Sequence, residues 1–269
     1  MESTGVYWKP ISRVLQVQSP ARTVWLINPQ HAKTVPGRKT DVSDSHWVAT
    51  LLMHGLLAPS FFPEAWCLEL RTLTRLRKKL VGDHSSLTNR ILKELEENGV
   101  KLAGLVTDVM GKSGRAMIDA LLAGTQTVEQ MADLARGRMK TKRGQLVRAL
   151  EAELSETSTF QLRVLLKLAD EVHAGLATLD QRIGALMEPV HPEAERLRVV
   201  PGLKDVVVPA VLAEIGTDMS TFPSSDHIVS WAGLSPGSRE SAGKQRPVGT
   251  RRGSYWLRVF LVKAAWAAA

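Results

Sequence analysis

Two proline-free runs with helical apolar periodicity constrain this chain more than any other feature. From Glu64 to about Asn98, Trp66, Leu70, Leu73, Leu76, Leu80, Leu87, Ile91 and Leu95 recur at spacings that place them on one amphipathic face. A second run begins near Ser158. There Phe160, Leu162, Leu165, Leu166, Ala169, Val172, Leu176, Leu179, Ile183 and Leu186 keep a near-heptad seam as far as Pro189. A lone helix cannot bury such a seam, so the second run needs the first run or a second copy of the chain as its partner. The runs predict a long helical coiled-coil region over 61–192 and a fold class that is mainly α.

Gly99 ends the first long helix, and shorter helices are expected near 113–123, 127–136 and 142–154. Arg71, Arg75, Arg77, Lys78 and Lys79 cluster on the first long helix, either as a solvated face or as a nucleic-acid contact. Arg136-Gly-Arg-Met-Lys-Thr-Lys-Arg143 places five basic residues in eight positions with no acid. That density directs Arg136, Arg138, Lys140, Lys142 and Arg143 toward phosphate. His173 reads as a histidine on the flank of the second helix, and His191-Pro192 as the start of a linker.

The N-terminal part alternates helix and strand signals. Ser3 or Thr4 can cap a helix carrying Trp8, Ile11 and Leu15, with Pro10 in its tolerant first turn. Ser19-Pro20 breaks it. Thr23-Val-Trp-Leu-Ile27 is a β-prone run stopped by Asn28-Pro29. Thr40 is a good N-cap for a helix from near Asp41 to around Gly55, so 1–60 reads as a small α/β part. Asp41 and Asp44 lie three apart and share one face of that helix's first turn. Adjacent carboxylates repel each other. The helix N-terminus offsets part of that cost and a divalent cation offsets more, with hard oxygen donors at this spacing suiting Mg²⁺. Taken alone, the pair reads as ordinary first-turn chemistry.

The C-terminal part, 193–269, opens on Val199-Val-Pro-Gly-Leu203 and an apolar helix running to Gly216, with Pro209 inside the pattern. A Pro-Gly turn leading into a helix is similar to helix-hairpin-helix segments, whose backbone N–H groups can hold a phosphate. A helix near 224–231 and Trp231-Ala-Gly-Leu-Ser-Pro236 precede a loop over 239–253. In it Arg239, Lys244, Arg246, Arg251 and Arg252 surround Ser241, and Gly243 and Gly249 permit close backbone approach. A serine hydroxyl is a weak nucleophile until a base or metal activates it, and developing phosphorane charge needs cations. A helix from about Gly253 to Ala269 follows.

Composition sets the outer bounds. Lys and Arg exceed Asp and Glu, giving a formal charge of +8 that favours a polyanionic partner. The single cysteine, Cys67, excludes an intramolecular disulfide and fits a reducing cytoplasm. No run has the length and apolarity of a membrane span, and the start does not read as a signal peptide.

Glu2-Ser-Thr-Gly-Val-Tyr-Trp8, Asn28-Pro-Gln30, the Asp41/Asp44 pair and Arg239-Glu-Ser-Ala-Gly-Lys244 together resemble the insertion-sequence transposases with a DEDD acidic tetrad. Members of that family are also described as RNA-guided recombinases. The resemblance spans essentially the whole chain and is most specific in its third region. It implies an RNase H-like (resolvase-type) domain over 1–60, here incomplete, a helical middle, and a C-terminal transposase domain. It places Glu2 on the tetrad's glutamate, Asp41 and Asp44 on its last two aspartates, and Ser241 on the family's serine. It further implies Mg²⁺ held by Glu2, Asp41 and Asp44, DNA as substrate, a structured noncoding guide RNA, and a covalent phosphoserine link. The tetrad's first aspartate has no counterpart. The expectation is therefore a chain shortened at its N-terminus and possibly at its C-terminus, impaired in strand exchange, and rescued by an upstream aspartate-bearing segment.

Two rival readings stay open: a non-catalytic, basic, helical nucleic-acid-binding remnant, and a helical adaptor whose seam makes a homo-oligomer. Salt-dependent nucleic-acid binding separates these two. Metal-dependent capture of DNA by Ser241 separates the first rival from the transposase.

Overall fold

The computed structural model describes residues 1–2, 7–18, 23–27, 41–235, 240–241, 244–245, 249–250 and 253–269; for 16–18, 41–44, 240–241 and 244–245 it describes the backbone alone. The described residues are mainly helical. In chain order the helices are α1 (Trp8–Gln18), α2 (Asp41–Met53), α3 (Ala65–Glu97), α4 (Lys112–Ala123), α5 (Val128–Asp133), α6 (Arg143–Leu150) and α7 (Glu156–Met187). α8 (His191–Arg198), α9 (Val207–Ile215), α10 (Ser225–Trp231) and α11 (Tyr255–Ala268) follow, with the two-residue strands β1 (Glu240–Ser241) and β2 (Lys244–Gln245) between the last two helices.

Two compact units divide the chain. The first joins Met1–Leu68 to Glu214–Tyr255, and the second joins Glu69–Ala213 to Trp256–Ala269.

The second unit is organised by the two long helices, each about 50 Å long at 1.5 Å per residue. Their contacts run in opposite directions along the chain. Arg182 bonds Glu69, Asp180 takes both Nε and Nη2 of Arg77, His173 lies beside His84, and Gln161 donates to Glu94. The seam of α7 therefore finds its partner within the same chain, as an antiparallel hairpin with α3. Leu162, Leu166 and Ala169 are fully or almost fully buried, whereas Phe160, Val164 and Leu168 of the same helix face solvent. At one end of the hairpin, α4, α5 and α6 close over it. Ile91, Leu95, Met117, Ile118, Met131, Leu146, Leu150 and Leu162 share one apolar core there.

Local chemistry sets the helix ends. α5 starts with a capping box, in which Thr127 accepts from the Gln130 backbone and the Gln130 side chain accepts from the Thr127 backbone. α7 begins two residues before Ser158 because Ser155 supplies the cap, its hydroxyl accepting from the Ser158 N–H. His191-Pro192 starts α8 and is not a linker. Proline is tolerated in a first turn, where its missing N–H would have no helical partner.

The first unit is smaller in its core. α2 ends near Gly55, as its sequence predicts. Leu56 N–H bonds the Leu51 carbonyl and Gly55 N–H the Leu52 carbonyl, which is the Schellman arrangement. Among the described residues, 23–27 form no ladder, and Ile27 makes a single parallel bridge, to Glu2. Ile27 N–H donates to the Met1 carbonyl at 2.8 Å, and Ser60 N–H donates to the Leu26 carbonyl at 2.7 Å. Ile27, Leu51 and Leu57 form the buried cluster, with Trp47 and Val48 packed on it. Elsewhere in this unit Phe61, Phe222 and Trp231 meet in pairs at ring-centroid distances of 5.7 to 6.4 Å. The caps expected from Ser3, Thr4 and Thr40 lie outside the described residues.

Candidate functional site

The small cluster around Ile27 gathers the segments that carry the sequence-predicted carboxylates. Glu2 is held by its backbone bridge to Ile27, and Ile27 packs against Leu51 of α2. Asp41 and Asp44 occupy the first turn of the same helix, about 15 Å and about 10 Å along its axis from Leu51. Their side chains lie outside the described residues, so the structure fixes the segments on which the three carboxylates ride. Among the described residues no group of three or more His, Cys, Asp or Glu is arranged to hold a metal. The donor chemistry of Glu2, Asp41 and Asp44, all hard oxygens, suits Mg²⁺.

Ser241 lies in the strand Glu240–Ser241, which pairs antiparallel with Lys244–Gln245 in the register Glu240 to Gln245 and Ser241 to Lys244. The two backbones are therefore side by side at Ser241. The ends of the excursion carrying it are pinned together. Ser254 N–H donates to the Trp231 carbonyl at 2.7 Å. A Cβ at Gly253 would lie 2.3 Å from the Gly233 nitrogen and 2.6 Å from the Trp231 carbonyl oxygen, so only glycine permits this approach. Arg239, Arg246, Arg251 and Arg252 lie outside the described residues, and Lys244 is described by its backbone alone.

Glu214 is a residue that motif reading missed. It is 2% exposed, and its carboxylate accepts from the Ser254 hydroxyl at 3.3 Å at the base of the Ser241 excursion. The signal in the sequence was a single acid closing the apolar run Val207–Ile215. A carboxylate buried this deeply is retained only with hydrogen-bonding partners.

The basic stretch of 136–143 forms a 3₁₀ turn, Gly137–Lys142, followed by the start of α6, and all five of its cationic residues are exposed. They are not equivalent. Arg143 Nε and Nη2 grip both oxygens of Asp133 at 2.6 and 3.1 Å; this raises the Arg143 pKa and lowers that of Asp133. Lys142 Nζ donates to the Leu105 carbonyl at 3.0 Å. Arg136, Arg138 and Lys140 have no acidic partner among the described residues and remain available to an external anion.

The basic cluster on α3 is mostly occupied internally. Arg71 Nε donates to the Ala213 carbonyl at 2.6 Å, Arg75 lies 5.4 Å from the centroid of the Trp256 ring, and Arg77 pairs with Asp180. These three arginines tie α3 to its neighbours, so the cluster is not a uniform solvated face. The Pro-Gly turn is also packed. Gly202 has φ +83 and is buried, and a Cβ there would lie 2.0 Å from the Ala264 carbonyl oxygen. The helix-hairpin-helix-like segment expected for this region falls on α8, the turn at Pro201-Gly202, and α9. No helix among the described residues is long and apolar enough to cross a membrane.

Two families match this chain. Residues 1–98 match the DEDD-type transposase family of IS110 elements, and residues 194–269 match the transposase IS116/IS110/IS902 family. The chain is also similar to the insertion element IS900 uncharacterized 42 kDa protein of Mycobacterium paratuberculosis. The two are 30% identical over 229 residues, which cover 76% of this chain and 54% of that protein. The chain thus spans about half the length of the curated relative it matches. The two matches lie toward the two ends of the chain; α3 falls within the first of them, and α7 lies in the stretch between them.

Proposed function

We propose that this chain serves DNA transposition for an insertion sequence, cutting and rejoining DNA strands through Ser241 and an acidic site made of Glu2, Asp41 and Asp44. The reading is supported chiefly by the two family matches, which cover 1–98 and 194–269 and so include all four residues in the expected order. The segment over 1–60 serves as the RNase H-like part, 61–192 as the helical spacer, and 193–269 as the transposase domain. Glu2, Asp41 and Asp44 are the residues that would hold Mg²⁺, which supplies charge neutralisation at the phosphate.

The Ser241 oxygen forms a bond to phosphorus as the bridging P–O bond of the strand breaks. The serine proton ends on the released hydroxyl oxygen, and the protein–DNA link is a phosphoserine ester. Arg239, Lys244, Arg246, Arg251 and Arg252 balance the charge that builds on the non-bridging oxygens. The partners in this reading are DNA, a structured noncoding guide RNA and further copies of the chain, in the cytoplasm.

A second reading, a nucleic-acid-binding protein without strand transfer, is favoured by the exposed Arg136, Arg138 and Lys140, which have no acidic partner among the described residues. The test is capture of DNA as a covalent adduct that survives denaturation and requires Ser241. Salt-dependent binding without any adduct would leave the second reading.

A further inference from the structure

The second unit contains a cavity of about 550 Å³ between α3, α7, the turn after α8, and α11. Its wall is apolar where Val81, Ile183, Met187, Val206 and Phe260 line it, and cationic where Arg77, Lys78, Arg198 and Lys263 line it. Two carboxylates also face it, and both are already paired. Asp180 takes two bonds from Arg77, and Asp205 accepts from Arg198 at 3.2 Å. Lys78 and Lys263 are left over, and neither has an acidic partner among the described residues. They come from different helices and line the same cavity, Lys78 half-buried and Lys263 exposed. Partial burial, then the charge and contact of Lys78 and the charge of Arg77, lower the Lys263 pKa from its ordinary value.

Two ammonium groups that face one cavity without an acidic partner of their own repel each other, and an anion bound between them relieves that cost. A surface chosen only for solubility would separate them. The volume is that of a pocket able to enclose a small ligand such as a nucleotide. The mixed lining calls for a ligand with a compact anionic end and an apolar body. Phosphate meets the first need, since lysine binds it as a point charge.

We propose that the cavity is a phosphate-binding site in which Lys78 and Lys263 share one phosphate group of a nucleotide unit, with the remainder of that unit against Val81, Ile183, Met187 and Phe260. The shared chemistry has two sources, a free phosphate compound or one nucleotide of a bound strand. The site does not depend on the strand-exchange reading, because none of its residues belongs to the Ser241 loop or the acidic segments.

The test is calorimetric titration of the full chain with inorganic pyrophosphate, repeated in the presence of a short single-stranded oligonucleotide. Wild type should bind pyrophosphate, and the double variant Lys78→Gln/Lys263→Gln should bind it at least about tenfold more weakly. Lys78→Arg/Lys263→Arg should retain binding, and Lys101→Gln, an exposed lysine away from the cavity, should bind as wild type does. Val206→Glu places a carboxylate at an exposed position of the mouth and should weaken pyrophosphate binding without touching either lysine. Competition by the oligonucleotide assigns the site to a strand; its absence, with the lysine dependence kept, assigns it to a free phosphate compound. No binding to wild type at millimolar pyrophosphate, or equal binding to wild type and the Gln double variant, overturns the proposal. Neither of those results bears on covalent capture of DNA through Ser241.

Discussion

Glu2 is joined to Ile27 by a parallel backbone bridge, and Ile27 is buried against Leu51 of the helix that begins with Asp41. One apolar side chain thus ties together the two segments on which the assigned carboxylates sit. Ile27 is 2% exposed, and truncating a buried isoleucine to alanine costs about 2–5 kcal/mol through lost burial and the cavity left behind. Ile27→Ala should make the 1–60 segment the first to be cleaved in limited proteolysis, with the helical unit protected. Proteolysis indistinguishable from wild type would show that the bridge is not held by this cluster.

The register of α7 gives a paired test. Leu162 is fully buried in the helical core, while Phe160, two residues away, is 70% exposed. Leu162→Asp buries an unpaired charge and should unfold the second unit or lower its denaturation midpoint severely. Phe160→Asp should leave that midpoint within about 0.5 kcal/mol of wild type. Equal effects at the two positions would contradict the observed packing.

Of the five cations in 136–143, Arg136, Arg138 and Lys140 have no acidic partner among the described residues. Each phosphate neutralised contributes about 0.9 to the slope of log K against log salt for duplex DNA. The triple variant Arg136→Gln/Arg138→Gln/Lys140→Gln should therefore flatten that slope by about 2 to 3 in a titration of duplex binding. Arg143→Gln should change it less, because its guanidinium is already gripped by Asp133.

Gly202 turns with φ +83 against the backbone of Ala264. Gly202→Ala forces a side chain into the left-handed region and toward a carbonyl oxygen that cannot recede without moving α11. Stability of the second unit should fall by about 2 kcal/mol or more in chemical denaturation. An unchanged midpoint would mean that the turn and α11 do not pack as described.

The helices were largely legible in the sequence because periodicity and terminators agreed. Gly55 and Gly99 end α2 and α3 where the apolar pattern stops, and Pro10 and Pro209 sit in first turns that tolerate them. The choice of partner for the α7 seam was not legible. Apolar spacing is the same for a hairpin and for two copies, and the cross-helix pairs Arg77–Asp180 and Arg182–Glu69 that decide it join residues more than a hundred apart. The α3 arginines misled for a related reason. A sequence shows charge but not the Ala213 carbonyl, Trp256 ring or Asp180 carboxylate that occupies it. Glu214 was overlooked because its role comes from burial beside Ser254, forty residues on. The proposed catalytic roles of Asp41, Asp44 and Ser241 rest on motif resemblance, and what the fold adds is the backbone setting of each.

The central claim is that Ser241 becomes bonded to DNA. The direct measurement is covalent capture of labelled insertion-end DNA, with cognate RNA and Mg²⁺, resolved on a denaturing gel and mapped by mass spectrometry. It is run on the wild-type chain and on its Ser241→Ala and Asp41→Ala variants. A DNA–protein adduct at Ser241 is expected in the wild-type chain, abolished by Ser241→Ala, by Asp41→Ala and by chelation of the metal. An undiminished adduct or undiminished strand exchange in the Ser241→Ala protein would contradict it.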